Sequence, residues 1–176
     1  MPTLRALLAS AVLFTALPAW CAGEERPAPF TAPWWGPEVA VLSIGSFGLH
    51  SPHHPNNPFV GLEIRGGPFW WQMRMLGGVL GAEDGSGYIY LGVLADMPVD
   101  IVHFVLSFST GLYHGGVDHD LGLPLIFRSA GEIAFDVAPR VRVGVSVSHM
   151  SNGKLASPNP GVETLALTLT FLALPY

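Results

Sequence analysis

From Val141 to Ser148 the chain alternates without a break: Val141, Val143, Val145 and Val147 fall on one parity, Arg142, Gly144, Ser146 and Ser148 on the other. Successive side chains of a strand point to opposite faces, so this is the signature of a β-strand with one apolar and one polar surface. The pattern recurs. Leu125, Phe127, Ile133 and Phe135 alternate with Arg128, Glu132 and Asp136, and Trp71, Met73 and Met75 with Gln72 and Arg74. Only 12% of the 176 residues are charged while 49% are hydrophobic, and the mean hydropathy is +0.42. An ordinary soluble domain carries about 25% charge. Yet past residue 23 no run approaches the ~18 apolar residues of a helical span. High hydropathy dealt out in alternation predicts strands that cross a membrane, and in hydrocarbon strands satisfy their backbone groups only by closing into a barrel.

Breakers divide the chain into eight strand candidates, at 38–50, 58–66, 69–81, 87–96, 99–113, 124–137, 139–151 and 162–176. The expected fold is therefore all-β, an eight-stranded antiparallel transmembrane β-barrel of the bacterial outer membrane. In such barrels the apolar set faces lipid and the polar set faces the lumen. Glu63, Arg65, Arg74, Arg128, Glu132 and Arg142 belong to the inward set and suffice for an ion-pair network. Eight strands leave an interior just filled by side chains, which excludes a porin. Connections after strands two, four and six are expected to be short (Gly66-Gly67-Pro68, Met97-Pro98 and Ala138). Those after strands one, three, five and seven are longer. Short periplasmic turns and long outer loops are the rule, so both termini are expected on the periplasmic side. The final Tyr176 is then a terminal aromatic on an amphipathic strand.

Residues 1–22 read as a secretory leader, with Arg5 before the apolar Ala6 to Leu17 and a small-residue cleavage site near Ala19 to Ala22. Bulky Trp20 disfavours lipidation of Cys21, and cleavage there leaves no cysteine for a disulfide. Residues 23–37, with Pro27, Pro29 and Pro33, form an irregular lead-in, and 38–176 the barrel. Loss of Arg5 leaves seven basic against thirteen acidic residues, a net −6 against −5 for the whole chain. That balance excludes a nucleic-acid partner, which requires a basic footprint.

The apolar parity is broken at one end of the last hairpin. His149 and Ser151 share the face of Val141 to Val147, and Glu163 shares that of Leu165, Leu167, Leu169 and Phe171. A hairpin symmetric about Ala156 sets position 149 opposite 163, with Cβ atoms ~4.5–5.5 Å apart. Imidazole, hydroxyl and carboxylate are costly on an apolar wall unless they pair. Together they are the parts of an acid–base–nucleophile triad: Ser151 to attack, His149 to take its proton, Glu163 to orient the ring. Donors for an oxyanion would come from the backbone of Asn152 and Gly153 and the side chains of Asn152 and Asn159. Ser-Asn-Gly and Pro-Asn-Pro-Gly are equally ordinary turn chemistry, so the parity match of three reactive types carries the weight.

The segment His149-Met-Ser151-Asn152, with Leu155, Pro158-Asn159 and Gly161-Val162-Glu163, resembles the signature of the PagL-type lipid A 3-O-deacylases. Phe127 falls on a position that is aromatic in that family. The resemblance implies an outer-membrane eight-stranded barrel whose Ser–His–Glu triad faces the outer leaflet. It also implies hydrolysis of the ester-linked acyl chain at the 3-position of lipid A, releasing a 3-hydroxy fatty acid without metal or cofactor. By the same resemblance His149, Ser151 and Glu163 take the base, nucleophile and orienting roles, and Asn152 and Asn159 support them. Phe127 and Lys154 are candidates for substrate contact, Lys154 toward a lipid A phosphate as the one basic residue in the expected outer loops. The partners are then lipopolysaccharide and outer-membrane lipid, and a lipid-facing site also permits occlusion in a homodimer.

Six further histidines (His50, His53, His54, His103, His114 and His119) lie in proline-broken loops or, for His103, in the lumen. With no Cys or Glu to complete a ligand set they make no expected metal site. Trp34, Trp35, Trp70 and Trp71 are expected in the periplasmic interfacial belt. Gly77-Gly78-Val-Leu-Gly81 has no following helix and is no phosphate cradle. Two other functions remain: a structural or adhesive small barrel in which His149 and Ser151 are merely interfacial, and a phospholipase-type esterase using the same three residues.

Overall fold

The computed structural model describes residues 36–49 and 56–172. The leader at 1–22, most of the lead-in, Trp34, Trp35, His50, His53, His54 and the terminal Tyr176 lie outside these residues. The described chain forms eight strands: β1 (Pro37–Phe47), β2 (Asn57–Trp70), β3 (Met73–Ala82), β4 (Gly87–Val99), β5 (Val102–His114), β6 (Leu125–Ala138), β7 (Val141–Ser151) and β8 (Val162–Leu172). Each pairs antiparallel with its neighbour, and β8 returns to β1 to close the barrel. Among the described residues no helix is long and apolar enough to cross a membrane. The strands do the spanning.

Alternation sorts the residues as the sequence predicts. Val143, Val145 and Val147 are exposed on the outer wall of β7, while Ser146 and Ser148 are buried within. On β8, Leu165, Leu167, Leu169 and Phe171 face out, and Thr164, Ala166, Thr168 and Thr170 face in.

The lumen is filled in layers. At mid-height Arg65 donates to Glu63 Oε1 (2.8 Å) and to Glu132 Oε2 (2.6 Å). Thr168 Oγ1 donates to Glu132 Oε1 and the Tyr90 hydroxyl to Glu63 Oε2, and the Arg128 guanidinium lies 5.4 Å from the Tyr90 ring centre. Nearer the short turns, His103 lies between Asp96 and Asp136, and Arg142 donates to both carboxylates. At the long-loop end the filling is apolar and aromatic: Phe47, Phe59, Tyr88, Tyr113, Ile126 and Met150 are all buried. Phe47 meets Phe59 edge-on and stacks with Tyr113. This aromatic plug was not legible as such in the sequence, because inward aromatics at strand ends look like interfacial residues.

The three short turns fall elsewhere than expected. Gly66-Gly67-Pro68, Met97-Pro98 and Ala138 lie within strands, and the connections are Trp71-Gln72, Asp100-Ile101 and Pro139-Arg140. Trp71, Asp100 and Arg140 take positive φ of 48°, 56° and 69°, which a reading based on Gly and Pro punctuation does not anticipate. The Gly66 to Pro68 stretch instead carries irregularities in the β2–β3 pairing, between Arg65 and Pro68 and between Pro68 and Trp70. Trp70 and Trp71 are strongly exposed at this end of the barrel, as a belt at the membrane boundary requires.

Replacing Arg65 by Met should leave Glu132 a buried carboxylate without its cation and Glu63 with only Arg128, at 3.8 Å, a loss of about 3–5 kcal/mol. The check is the urea midpoint of the refolded barrel in lipid, which should fall clearly; an unchanged midpoint would show that the mid-lumen network does not hold the barrel.

Candidate active site on the outer wall

The β7–β8 register sets His149 directly against Glu163, and Val147 against Leu165. Both polar side chains lie on the outward parity and are about half exposed, 53% and 46%. They are joined by a hydrogen bond of 3.1 Å between His149 Nδ1 and Glu163 Oε1. A carboxylate only accepts, so Nδ1 carries the proton and Nε2 is left as the base. Ser151 follows two residues along on the same face, half-buried at the end of β7. Its cross-strand partner on β6 is Phe127, whose ring stacks on Phe108 at 6.1 Å.

Past Ser151 the chain turns at once. Leu155 N–H donates to Asn152 O (3.1 Å), and the two residues between, Gly153 and Lys154, both have φ of +64°. This compact turn presents Gly153 and Lys154 to solvent. A side chain at Gly153 would press on the Phe127 ring, with Cβ 3.1 Å from it. Gly161 serves the histidine. Its φ is +67°, and a Cβ there would lie 2.8 Å from His149 Cε1 and 3.5 Å from Nε2. The imidazole therefore rests with its reactive edge against bare backbone.

Asn152 behaves differently from expectation. As an even-numbered neighbour of Ser151 it points inward and is fully buried. Its Nδ2 shares two hydrogens among the carbonyls of Leu121, Ala156 and Pro158, and its backbone N–H donates to Asn159 Oδ1 (3.0 Å). Neither group is left for an oxyanion. Asn152 instead ties the 115–124 loop to the 152–161 loop and fixes the orientation of Asn159. With Oδ1 engaged, the Asn159 amide keeps its N–H donors for another partner. The remaining outer loops are also bound to one another. His119 pairs with Asp84 at 3.0 Å, Asn57 donates to Asp118, and Gly116 N–H donates to Ser86 Oγ. Burial pushes the Asp84 carboxyl up, but hydrogen bonds from His119 and Ser86 outweigh it and leave the group below its usual range. Among the described residues no cluster of His, Cys, Asp and Glu could hold a metal ion.

Phe108 and Ser129 were missed by sequence reasoning, and Gly161 entered it only as part of the signature, without its place against the imidazole. Ser129 is exposed and stands opposite His149 on the side away from Glu163. Phe108 and Ser129 become visible only when β5, β6 and β7 are set in register.

A closed barrel that groups an imidazole, a carboxylate and a hydroxyl on its apolar outer wall carries the side-chain types that a membrane-embedded hydrolase uses. Comparison with known proteins gives the particular kind. The family model for lipid A 3-O-deacylase (PagL) matches residues 60–171, well over half of the chain, and the chain belongs to that family. It is thus a carboxylic ester hydrolase of the outer membrane with lipid A as substrate. No sequence among the curated proteins matches it. Of solved structures, that of the outer membrane enzyme PagL is similar at a TM-score of 0.63 and 19% identity, covering 77% of this chain and 99% of its own. Neisserial surface protein A follows at 0.56 and 11%, covering 77% and 96%. A de novo designed transmembrane β-barrel reaches 0.52 and 8%, covering 78% and 98%. At these identities the structures speak for the fold alone.

Gly161→Val should displace the imidazole by forcing a Cβ into its place. Fatty acid release should fall about 100-fold, since misplacement by ~1 Å costs that much, while heat-modifiable barrel folding persists. Full activity in this variant would mean that the ring is not positioned by the Gly161 backbone.

Proposed function

We propose that His149, Ser151 and Glu163 form the catalytic triad of this deacylase, and that the long-loop end carrying them lies at the outer leaflet. The observation that carries the reading is the His149–Glu163 hydrogen bond on a wall built mainly of Val, Leu, Ile and Phe. Such a pair gains little for folding where it is half exposed, so its place on the lipid face is explained by chemistry. The orientation is supported by loop lengths: two-residue turns at one end, and connections of four to ten residues at the other.

The proposed chemistry is acyl transfer through a serine. The ester carbonyl at the lipid A 3-position meets Ser151 Oγ while His149 Nε2 removes the hydroxyl proton. Glu163 holds the tautomer and stabilises the imidazolium. The tetrahedral oxyanion is met by the Asn159 amide and the Gly153 backbone N–H. Collapse breaks the bond to the sugar oxygen, which leaves with the proton from His149 as a free 3-hydroxyl, and the acyl group stays on Ser151. Water then attacks the acyl-serine, giving its proton to His149, and a 3-hydroxy fatty acid departs as Ser151 is reprotonated. No cofactor is required. Phe127, beside Ser151 and stacked on Phe108, supports the acyl chain at its carbonyl end.

Ser151→Ala and His149→Ala should each reduce fatty acid release from lipid A by roughly 1,000-fold or more, and Glu163→Gln by about 100-fold. All three variants should still fold into heat-modifiable barrels. Retained release in both alanine variants would remove the triad and favour a different site.

Lys154 stands at the apex of the 152–155 turn with its side chain exposed, and within this reading it meets a phosphate of the substrate headgroup. Lys154→Ala should slow hydrolysis of phosphorylated lipid A several-fold, as loss of an exposed charge contact implies, and leave the dephosphorylated form unaffected. Equal rates on the two substrates before and after substitution would contradict the contact.

A further inference from the structure

The outer wall beside His149 can be read row by row from the pairing of β5 to β8. Thr110, Phe127 and Ser151 share the row nearest the loops; Phe108, Ser129, His149 and Glu163 share the next. Below them come Leu106, Gly131, Val147 and Leu165, then Phe104, Ile133, Val145 and Leu167. All are on the outward parity, and the large apolar members of the two lower rows are exposed. The middle of this field has one gap. A Cβ at Gly131 would meet nothing nearer than Leu106 Cδ2 at 3.8 Å. Other outward glycines differ: Gly77 is covered, with Leu91 Cδ2 only 2.8 Å from its Cβ position, and Gly81 is open but sits at the end of β3, away from His149.

The gap at Gly131 therefore continues the active site. It lies one row below His149 and two below Ser151, is bounded by Leu106 and Phe108 on one side and Val147 on the other, and is closed by Ile133, the next outward side chain of β6. In a bilayer hydrocarbon fills such a depression whatever its source, so apolar transfer energy selects nothing there. Selection comes from how well one chain packs the depression and where it must stop. The chain best placed to enter is the one whose carbonyl carbon is held at Ser151.

We propose that Gly131 and Ile133 set the length of the acyl chain that this enzyme removes, with the departing 3-position chain lying along β6 from His149 to Ile133. This rests on the triad reading above. The four residue steps from Ser129 to Ile133 span about 13 Å, the length of an extended chain of roughly ten carbons. A chain of about that length fits above Ile133, and longer ones must bend around its side chain.

The test uses the full protein, refolded in lipid, with two lipid A substrates carrying ten-carbon or fourteen-carbon chains at the 3-position. The readout is the ratio of their hydrolysis rates. Gly131→Leu fills the depression and should lower the rate on both chains while shifting the ratio about tenfold toward the shorter, the scale on which a few methylenes are discriminated. Ile133→Ala lowers the stop and should shift the ratio toward the longer chain. It also keeps the idea falsifiable should Gly131→Leu fail to fold. Val60→Ala, exposed on β2 across the barrel from β6, should leave the ratio unchanged. A ratio unmoved in both site variants, or moved toward the shorter chain by Ile133→Ala, would overturn the length assignment while leaving deacylation intact. Wild-type protein inert toward both substrates would instead overturn the triad reading on which the assignment stands.

Discussion

Everything in this molecule depends on the pairing of β1 with β8, from Val39 against Leu172 to Phe47 against Thr164. In hydrocarbon there is no water to satisfy a free strand edge, so an open sheet of these strands would be untenable. Closure gives every spanning backbone group a partner and fixes the period at two. It thereby divides side chains into a lumen set and a lipid set with no third place to go. Arg65, Glu63, Glu132 and Thr168 satisfy one another on the inside. On the outside the rule is apolar, and near the long-loop end Ser129, His149, Ser151 and Glu163 break it on three adjacent strands. The same constraint that builds the wall makes this departure legible.

The site shows how a barrel positions reactive groups without a pocket in the usual sense. Register does most of it: the β7–β8 ladder brings imidazole and carboxylate together, and the β6–β7 ladder brings Phe127 to Ser151. The loop end is then pinned from beneath by Asn152, whose side chain is buried and bound to three carbonyls on two loops. Ser151, the proposed nucleophile at the last position of β7, would otherwise share in the fraying of that strand's end. Gly161 leaves the space that the imidazole edge occupies. Strand ladder, buried amide and missing Cβ act on three sides of one hydrogen-bonded pair.

How far the sequence carries is clear from individual residues. Alternation fixed the barrel, the faces of β6 to β8 and the meeting of positions 149 and 163, because parity and a symmetric hairpin need no knowledge of the rest of the chain. It failed where residues act through tertiary neighbours. Asn152 was expected at the oxyanion, although its own even parity points it inward. Gly66-Gly67-Pro68 looked like a turn and proved to be an irregular stretch of β2, while the true turns use Trp71, Asp100 and Arg140 at positive φ. Gly131 carries no signal in sequence at all. Its meaning is an empty space, and empty space is defined by the strands on either side.

The central claim is that the reactive trio on the lipid-facing wall removes one particular acyl group. The most direct measurement is mass spectrometry of lipid A and of bilayer phospholipid after incubation with the refolded wild-type protein, with fragmentation to locate the missing chain. The account predicts lipid A lighter by one ester-linked 3-hydroxyacyl group lost from the 3-position, and phospholipid untouched. Loss from another position, or cleavage of phospholipid in its place, would contradict it.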